Sequence, residues 1–127
     1  MTLKRGFKQL LAEANAQIET IAVKDALSLV GDKKVTFIDI RQDSEIEKTG
    51  TLPGAARCPR GFLEFQADPE SPMHNAAFSS GNRLVLFCAT GGRSSLAAKT
   101  LMDMGVPRVC HMAGGITAWK EAGGKLE

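Results

Sequence analysis

The chain has 127 residues, of which 43% are hydrophobic and 24% charged, and its formal net charge is +2. That length suits one domain able to bury a core unaided, and so small a charge names neither nucleic acid nor an anionic membrane as partner. Three widely spaced cysteines, Cys58, Cys88 and Cys110, make no secreted disulfide framework. With His74 and His111 they make no zinc-ligand pattern either, so no metal and no cofactor is expected.

Leu3, Phe7, Leu10, Leu11 and Ala14 recur at helical spacing, which predicts an amphipathic helix over residues 1–16, docked on a single domain over 17–127. Lys4, Arg5 and Lys8 lie beside no continuous apolar core, unlike a secretory signal, and no stretch approaches the ~20 apolar residues that cross a membrane. A cytoplasmic protein, a monomer or a weak dimer, is the expectation.

Residues 17–21 then suit a short edge strand, and Val23 to Val30 a helix stopped by Gly31. Val35 to Ile40 is apolar on both faces, as in a central strand of a parallel sheet. An acidic helix over 44–48 leads through Pro53-Gly54 to a short strand over 56–58. Residues 60–65 suit one or two helical turns, 68–72 a loop and 73–78 a further short helix. The run Leu84 to Phe87 is a strand, Ser95 to Met102 a helix, Arg108 to Met112 a last strand, and Ile116 to Ala122 a helix opened by Gly114-Gly115. Strands alternating with helices predict an α/β domain with a mainly parallel sheet.

Chemistry concentrates in Cys88-Ala89-Thr90-Gly91-Gly92-Arg93-Ser94, between a strand and a helix. Such a turn aims backbone N–H groups inward, and the helix N-terminus adds partial positive charge, so the loop is a cradle for an anionic sulfur at Cys88. The thiolate is the reactive form of cysteine and is favoured in that setting. Asp39 and Arg41 lie at another strand end and share one side of it. They reach the base of the loop if the two strands are neighbours, although an acid and a base there more often brace loops than do chemistry. No phosphate-loop pattern fits, since position 87 is Phe and 93 is Arg, and no histidine is placed by sequence to serve Cys88 as a base. His111, beside Cys110, carries no assigned role.

Four segments, in order, carry a resemblance. Cys88-x-x-Gly91-x-Arg93-Ser94, Asp39-Ile40-Arg41 with Glu45, Gly50-Thr51-Leu52-Pro53-Gly54-Ala55 and Gly114-Gly115-Ile116-Thr117-Ala118-Trp119 together resemble the motifs of rhodanese-like domains, the thiosulfate:cyanide sulfurtransferase family, over about residues 21–123. The resemblance implies a five-stranded, mainly parallel sheet flanked by helices, here with an extra N-terminal helix. It implies sulfur transfer through a Cys88 persulfide, from a small sulfur-containing anion to a thiophilic acceptor such as cyanide, a thiol or a protein.

In that frame the N–H groups of Ala89 to Ser94 hold the persulfide, Arg93 steadies the loop and lends positive potential, and Arg60 is a further donor-binding candidate. Members that use thiosulfate efficiently often carry cationic loop residues, whereas Ala89 and Thr90 are uncharged. Cys58 and Cys110 suit core thiols, Cys58 being the better candidate for a second sulfur carrier. Phosphatases and arsenate reductases of the same fold have a Cys-to-Arg loop one residue longer. The alternative to turnover is a persulfide carrier or a protein-interaction module, with the N-terminal helix as its docking element.

Overall fold

Five strands, the two longest of them, Val35–Asp39 and Arg83–Phe87, mainly apolar, form one sheet, described over residues 1–127 by a computed structural model. They are β1 (Glu19–Ile21), β2 (Val35–Asp39), β3 (Ala56–Arg57), β4 (Arg83–Phe87) and β5 (Val109–Met112). The spatial order is β1-β5-β4-β2-β3 and every pairing is parallel, so the sheet is wholly rather than mainly parallel. Parallel strands need crossovers, supplied by α2 (Val23–Leu27), α3 (Asp43–Thr49), α4 (Leu63–Ala67) and α5 (Gly92–Met104), while α1 (Phe7–Gln17) precedes the sheet and α6 (Gly115–Glu121) follows it.

Strand alternation divides the core into two layers. Ile38, Leu84 and Leu86 face Ala97 and Leu101 of α5 and Leu63 of α4. Phe37, Val85, Phe87, Cys110 and Met112 face Ala26 of α2 and Ile116 and Trp119 of α6. Leu84, Val85, Leu86 and Phe87 are all at most 1% exposed, so β4 is covered on both sides and its C-terminal end lies in the middle of the sheet. β2 is interior beside it, and β1 is an edge as expected.

Three element boundaries differ from expectation for identifiable reasons. The helix from Val23 ends at Leu27, because Leu29 N–H turns back to the Ala26 carbonyl and the Ser28 hydroxyl bonds the Asp25 carbonyl at 2.8 Å. The helix expected over 73–78 is a 3₁₀ turn at Ala76–Ser79, started where the Asn75 side chain accepts from Ala77 N–H. α5 begins at Gly92, three residues early, because Gly91 makes the whole reversal alone at φ +111°. Arg93 and Ser94 therefore occupy its first turn.

The N-terminal helix is present but narrower in contact than its apolar spacing suggests. Ala14 is buried against α5 and Leu10 and Leu11 are half-buried, while Leu3 and Phe7 are exposed. A side-chain hydrogen bond of 2.7 Å from Ser95 to Asn15 ties α1 to the start of α5.

Candidate active site

Cys88 follows β4 directly, with its side chain on the α5 face of the sheet and only 1% of the residue exposed. Its Sγ accepts from the N–H of Gly91 at 3.2 Å and of Ser94 at 3.4 Å, and the Ser94 hydroxyl lies 3.6 Å away. Two backbone N–H groups, rather than every N–H of the loop, meet the sulfur. Both donors belong to the turn and first residues of the thirteen-residue α5, so the helix dipole reinforces them.

The other polar side of the loop is fixed from α6. Ile116 N–H donates to the Cys88 carbonyl at 2.9 Å and Thr117 N–H to the Ala89 carbonyl at 3.1 Å. So close an approach requires glycine at position 115: a Cβ there would lie 2.4 Å from the Cys88 oxygen and 2.5 Å from that of Ala89. Carbonyls are thereby turned toward α6 and N–H groups toward the sulfur.

Arg93 does not point at the cradle alone. Its guanidinium donates to both oxygens of Glu45 on α3, each at 2.8 Å, and that bond is the main reason the Glu45 carboxyl is held down at about 2. Its own pKa is raised, by Glu45 first and by the neighbouring Cys88 sulfur to a smaller extent. Asp39 and Arg41 are braces. β2 and β4 are neighbours as anticipated, yet the buried pair turns to the segment after α3: Arg41 bonds both Asp39 oxygens, the Thr49 hydroxyl and the Gly50 carbonyl, and the Thr51 hydroxyl donates to Asp39 at 2.8 Å.

Two expectations are corrected by burial and geometry. Arg60 pairs with Glu64 at 3.0 Å and reaches the Thr100 hydroxyl at 3.4 Å, roughly two helical turns along α5 from the loop. It is engaged there rather than at the sulfur. Cys58 is wholly buried, and burial pushes its thiol up to about 11, which suits an inert core residue rather than a second carrier. Cys110 is likewise buried and pushed up to about 11.

The residue missed by sequence reasoning is His111. Alternation along β5 sends Cys110 and Met112 to the α6 layer, so His111 projects to the α5 face, where its Nδ1 lies 2.9 Å from the Ser94 hydroxyl. The usable signal was the strand period, which adjacency to Cys110 obscured. Beside this histidine a cavity of about 480 Å³ opens between Leu11 and Asn15 of α1, Thr20 of β1 and loop residues Thr90 to Gly92.

Comparison with known proteins adds independent findings. The sequence model described as rhodanese-like domain matches residues 22–122. A sulfurtransferase of Allochromatium vinosum is 30% identical over 95 residues, covering 75% of this chain and 80% of that protein. A structure from Rhodopseudomonas palustris, described as a protein of unknown function and possible tyrosine phosphatase, superposes with a TM-score of 0.96 at 46% identity, covering 100% of this chain and 98% of the other. The polysulfide-sulfur transferase homodimer of Wolinella succinogenes superposes with a TM-score of 0.71 at 29% identity over 95% of this chain and 86% of its own. The chain also matches tRNA uridine(34) hydroxylases, at 32% identity over 73% of its length for that of Synechocystis, of which it spans only 32%.

Proposed function

This chain belongs to the rhodanese-like domain family, and we propose that it is a sulfurtransferase that carries sulfane sulfur as a persulfide on Cys88. The observation that supports this most is the Cys88 sulfur held by the Gly91 and Ser94 N–H groups at the start of α5. Fixed donors of that kind stabilise an anion without reorganising when charge arrives.

In the first step the Cys88 thiolate attacks the outer sulfur of the donor. For thiosulfate the S–S bond breaks, sulfite leaves with the electron pair, and Cys88–S–S⁻ forms. In the second step an acceptor, cyanide or a thiolate, attacks the outer sulfur and takes it, and the Cys88 thiolate is restored. Electrons balance at each step, so no cofactor takes part. With Ala89 and Thr90 uncharged and Arg93 shared with Glu45, a persulfide or polysulfide suits the loop better than thiosulfate as the working donor. Three unpaired cysteines suit a reducing compartment, the cytoplasm, for this chemistry.

The phosphatase description of the Rhodopseudomonas palustris relative is the competing reading. Four residues separate Cys88 from Arg93 here, one fewer than in the phosphatase class of this fold, and the Arg93 guanidinium is already occupied by a carboxylate. Intact mass after incubation with thiosulfate and, separately, with polysulfide decides the matter, with Cys88→Ser alongside. One added sulfur, absent in Cys88→Ser and removed by cyanide, is expected. Addition without removal by cyanide or thiols would point to a carrier. No addition from either donor, above all with hydrolysis of p-nitrophenyl phosphate, would overturn sulfur transfer.

A further inference from the structure

The arginines that follow β2, β3 and β4 are each matched by a carboxylate. Arg41 is held by Asp39 at 2.8 Å, Arg60 by Glu64 at 3.0 Å, and Arg93, at the start of α5, by both oxygens of Glu45 at 2.8 Å. Arg57 is exposed, but its neighbour Ala56 packs on the α5 side of the sheet, so strand alternation turns Arg57 to the face away from the sulfur. The loop residues Ala89, Thr90, Gly91 and Gly92 are uncharged. Asp43 stands with Glu45 in the first turn of α3, whereas Lys48 lies in its last.

The N–H groups of Gly91 and Ser94 and the dipole of α5 oppose one negative charge, that of the sulfur itself. A donor that brings two more needs a free cation. Arg93 is the cation beside that sulfur, close enough for Cys88 to add to the rise in its pKa, but Glu45 is the larger cause. The Glu45 carboxyl, held at about 2, stays ionised at every pH near neutrality. Seen from the sulfur the two charges largely cancel, and a dianion meets little attraction.

We propose that Glu45 is a specificity-determining residue: by matching Arg93 it restricts the sulfur donor to molecules of low charge, organic persulfides, and disfavours dianionic thiosulfate. The inference rests on Cys88 carrying the persulfide. An organic persulfide, R–S–SH, gives its outer sulfur to the Cys88 thiolate. The S–S bond breaks, RS⁻ leaves with the electron pair, and Cys88–S–SH remains. That leaving group carries one negative charge at its sulfur, whereas the sulfite released from thiosulfate carries two. The Arg93 fork suits the oxygens of a sulfonate as well as those of a carboxylate, so Glu45 occupies from within the chain the place that the oxygen end of thiosulfate would take.

The test uses two reagent pairs, each differing by one negative charge at constant chemistry. Thiosulfate and the methanethiosulfonate anion both yield a sulfane sulfur to a thiolate, releasing sulfite or methanesulfinate. Iodoacetate and iodoacetamide both alkylate a thiolate, releasing iodide. Within each pair the ratio of rates cancels the ionisation of Cys88. Intact mass gives the rates and peptide mapping assigns them to Cys88. Glu45→Gln removes the charge and keeps an acceptor for Gln42 N–H. It is expected to raise the thiosulfate to methanethiosulfonate ratio and the iodoacetate to iodoacetamide ratio about fivefold over the parent, a gain that high salt abolishes. Glu64→Gln removes the same charge from the pair with Arg60 and should leave both ratios near those of the parent. An unchanged thiosulfate ratio in Glu45→Gln overturns the assignment, as does an equal rise in Glu64→Gln, since net charge would then account for the effect. Alkylation requires no sulfur donor, so a raised iodoacetate ratio in a protein that takes up no sulfur keeps Glu45 as the residue that sets the charge admitted to Cys88 and rejects only the sulfurtransferase reading.

Discussion

Arg93 and Glu45 meet in a two-point ion pair, both nitrogen–oxygen distances 2.8 Å, that joins the helix bearing the cysteine loop to the helix after β2. Fork geometry makes such a pair stronger than a single contact. Both side chains are partly in water, 41% and 31% exposed, so solvent screening trims its value.

Glu45→Gln isolates that charge, because glutamine can still accept from Gln42 N–H as Glu45 does at 3.0 Å. The expected cost is about 0.5–1 kcal/mol, a few degrees in thermal midpoint. The pH dependence has a definite sign. The folded carboxyl sits at about 2 against an ordinary 4.5, so its contribution is complete above 4.5 and is lost as pH falls toward 2. Thermal midpoints of parent and variant should differ at pH 7 and draw together as pH falls through about 2. A gap that persists undiminished at pH 2 would remove the ion pair as its cause.

The buried pair Asp39–Arg41 should behave differently, since neither side chain exceeds 2% exposure. Arg41→Met leaves the Asp39 carboxylate buried with only Thr51 Oγ1 and the Arg41 backbone N–H donating to it, at an expected cost of about 3–5 kcal/mol in urea unfolding. Thr51→Val removes one neutral donor and should cost about 1 kcal/mol. Combining Arg41→Met with Asp39→Leu should cost less than the sum of the two single changes, because each single change strands a charge that the double one does not. Strict additivity would mean that the pair does not act as a unit.

How far these features are visible in the sequence depends on which interaction encodes them. The strands and the cysteine loop are local: apolar runs such as Leu84–Phe87 and the adjacent Gly91-Gly92 fix strand and turn by themselves, and Asp39 with Arg41 share a strand face by period alone. His111 and Arg60 depend on what lies across the chain. Sequence places His111 beside Cys110, whereas the sheet places it opposite Ser94, a residue 17 positions away. Arg60 lies next to a loop in sequence, but Glu64 at one helical turn and Thr100 on α5 claim its guanidinium. Apolar spacing overstated the face of α1 because Leu3 and Phe7 lie beyond the reach of α5.

Cys58 and Cys110 supply a prediction at alkaline pH. Both thiols are pushed up to about 11 from an ordinary 9.0. A raised pKa contributes stability that is complete below pH 9 and is lost as pH rises through 11. The midpoint for urea unfolding should therefore fall between pH 9 and 11, and the fall should be shallower in Cys58→Ala/Cys110→Ala. In the native protein at pH 7.5, neither thiol should react with iodoacetamide until denaturant is added, as peptide mapping would show. Native-state labelling of Cys58 would restore it as a candidate second carrier.

Gly115 makes the sharpest claim about the loop, because alanine there offends in two separable ways. The residue has φ +58°, where a side chain costs about 1–2 kcal/mol, and the new Cβ would press on the carbonyls of Cys88 and Ala89 at 2.4 and 2.5 Å. Those oxygens are backbone atoms bonded to Ile116 and Thr117, so relief requires the cysteine loop itself to move and the Gly91 and Ser94 donors to leave the sulfur. Gly105→Ala is the matched control, with φ +91° and nothing within 4 Å of its Cβ. The control should lose about 1 kcal/mol and keep its rate of persulfide formation. Gly115→Ala should lose more stability and, in the fraction that remains folded at 15 °C, form the persulfide at least about tenfold more slowly, the rate effect expected when a donor to the reacting anion is withdrawn. Equal rates in the two variants would show that the α6 contacts do not hold the cradle in shape.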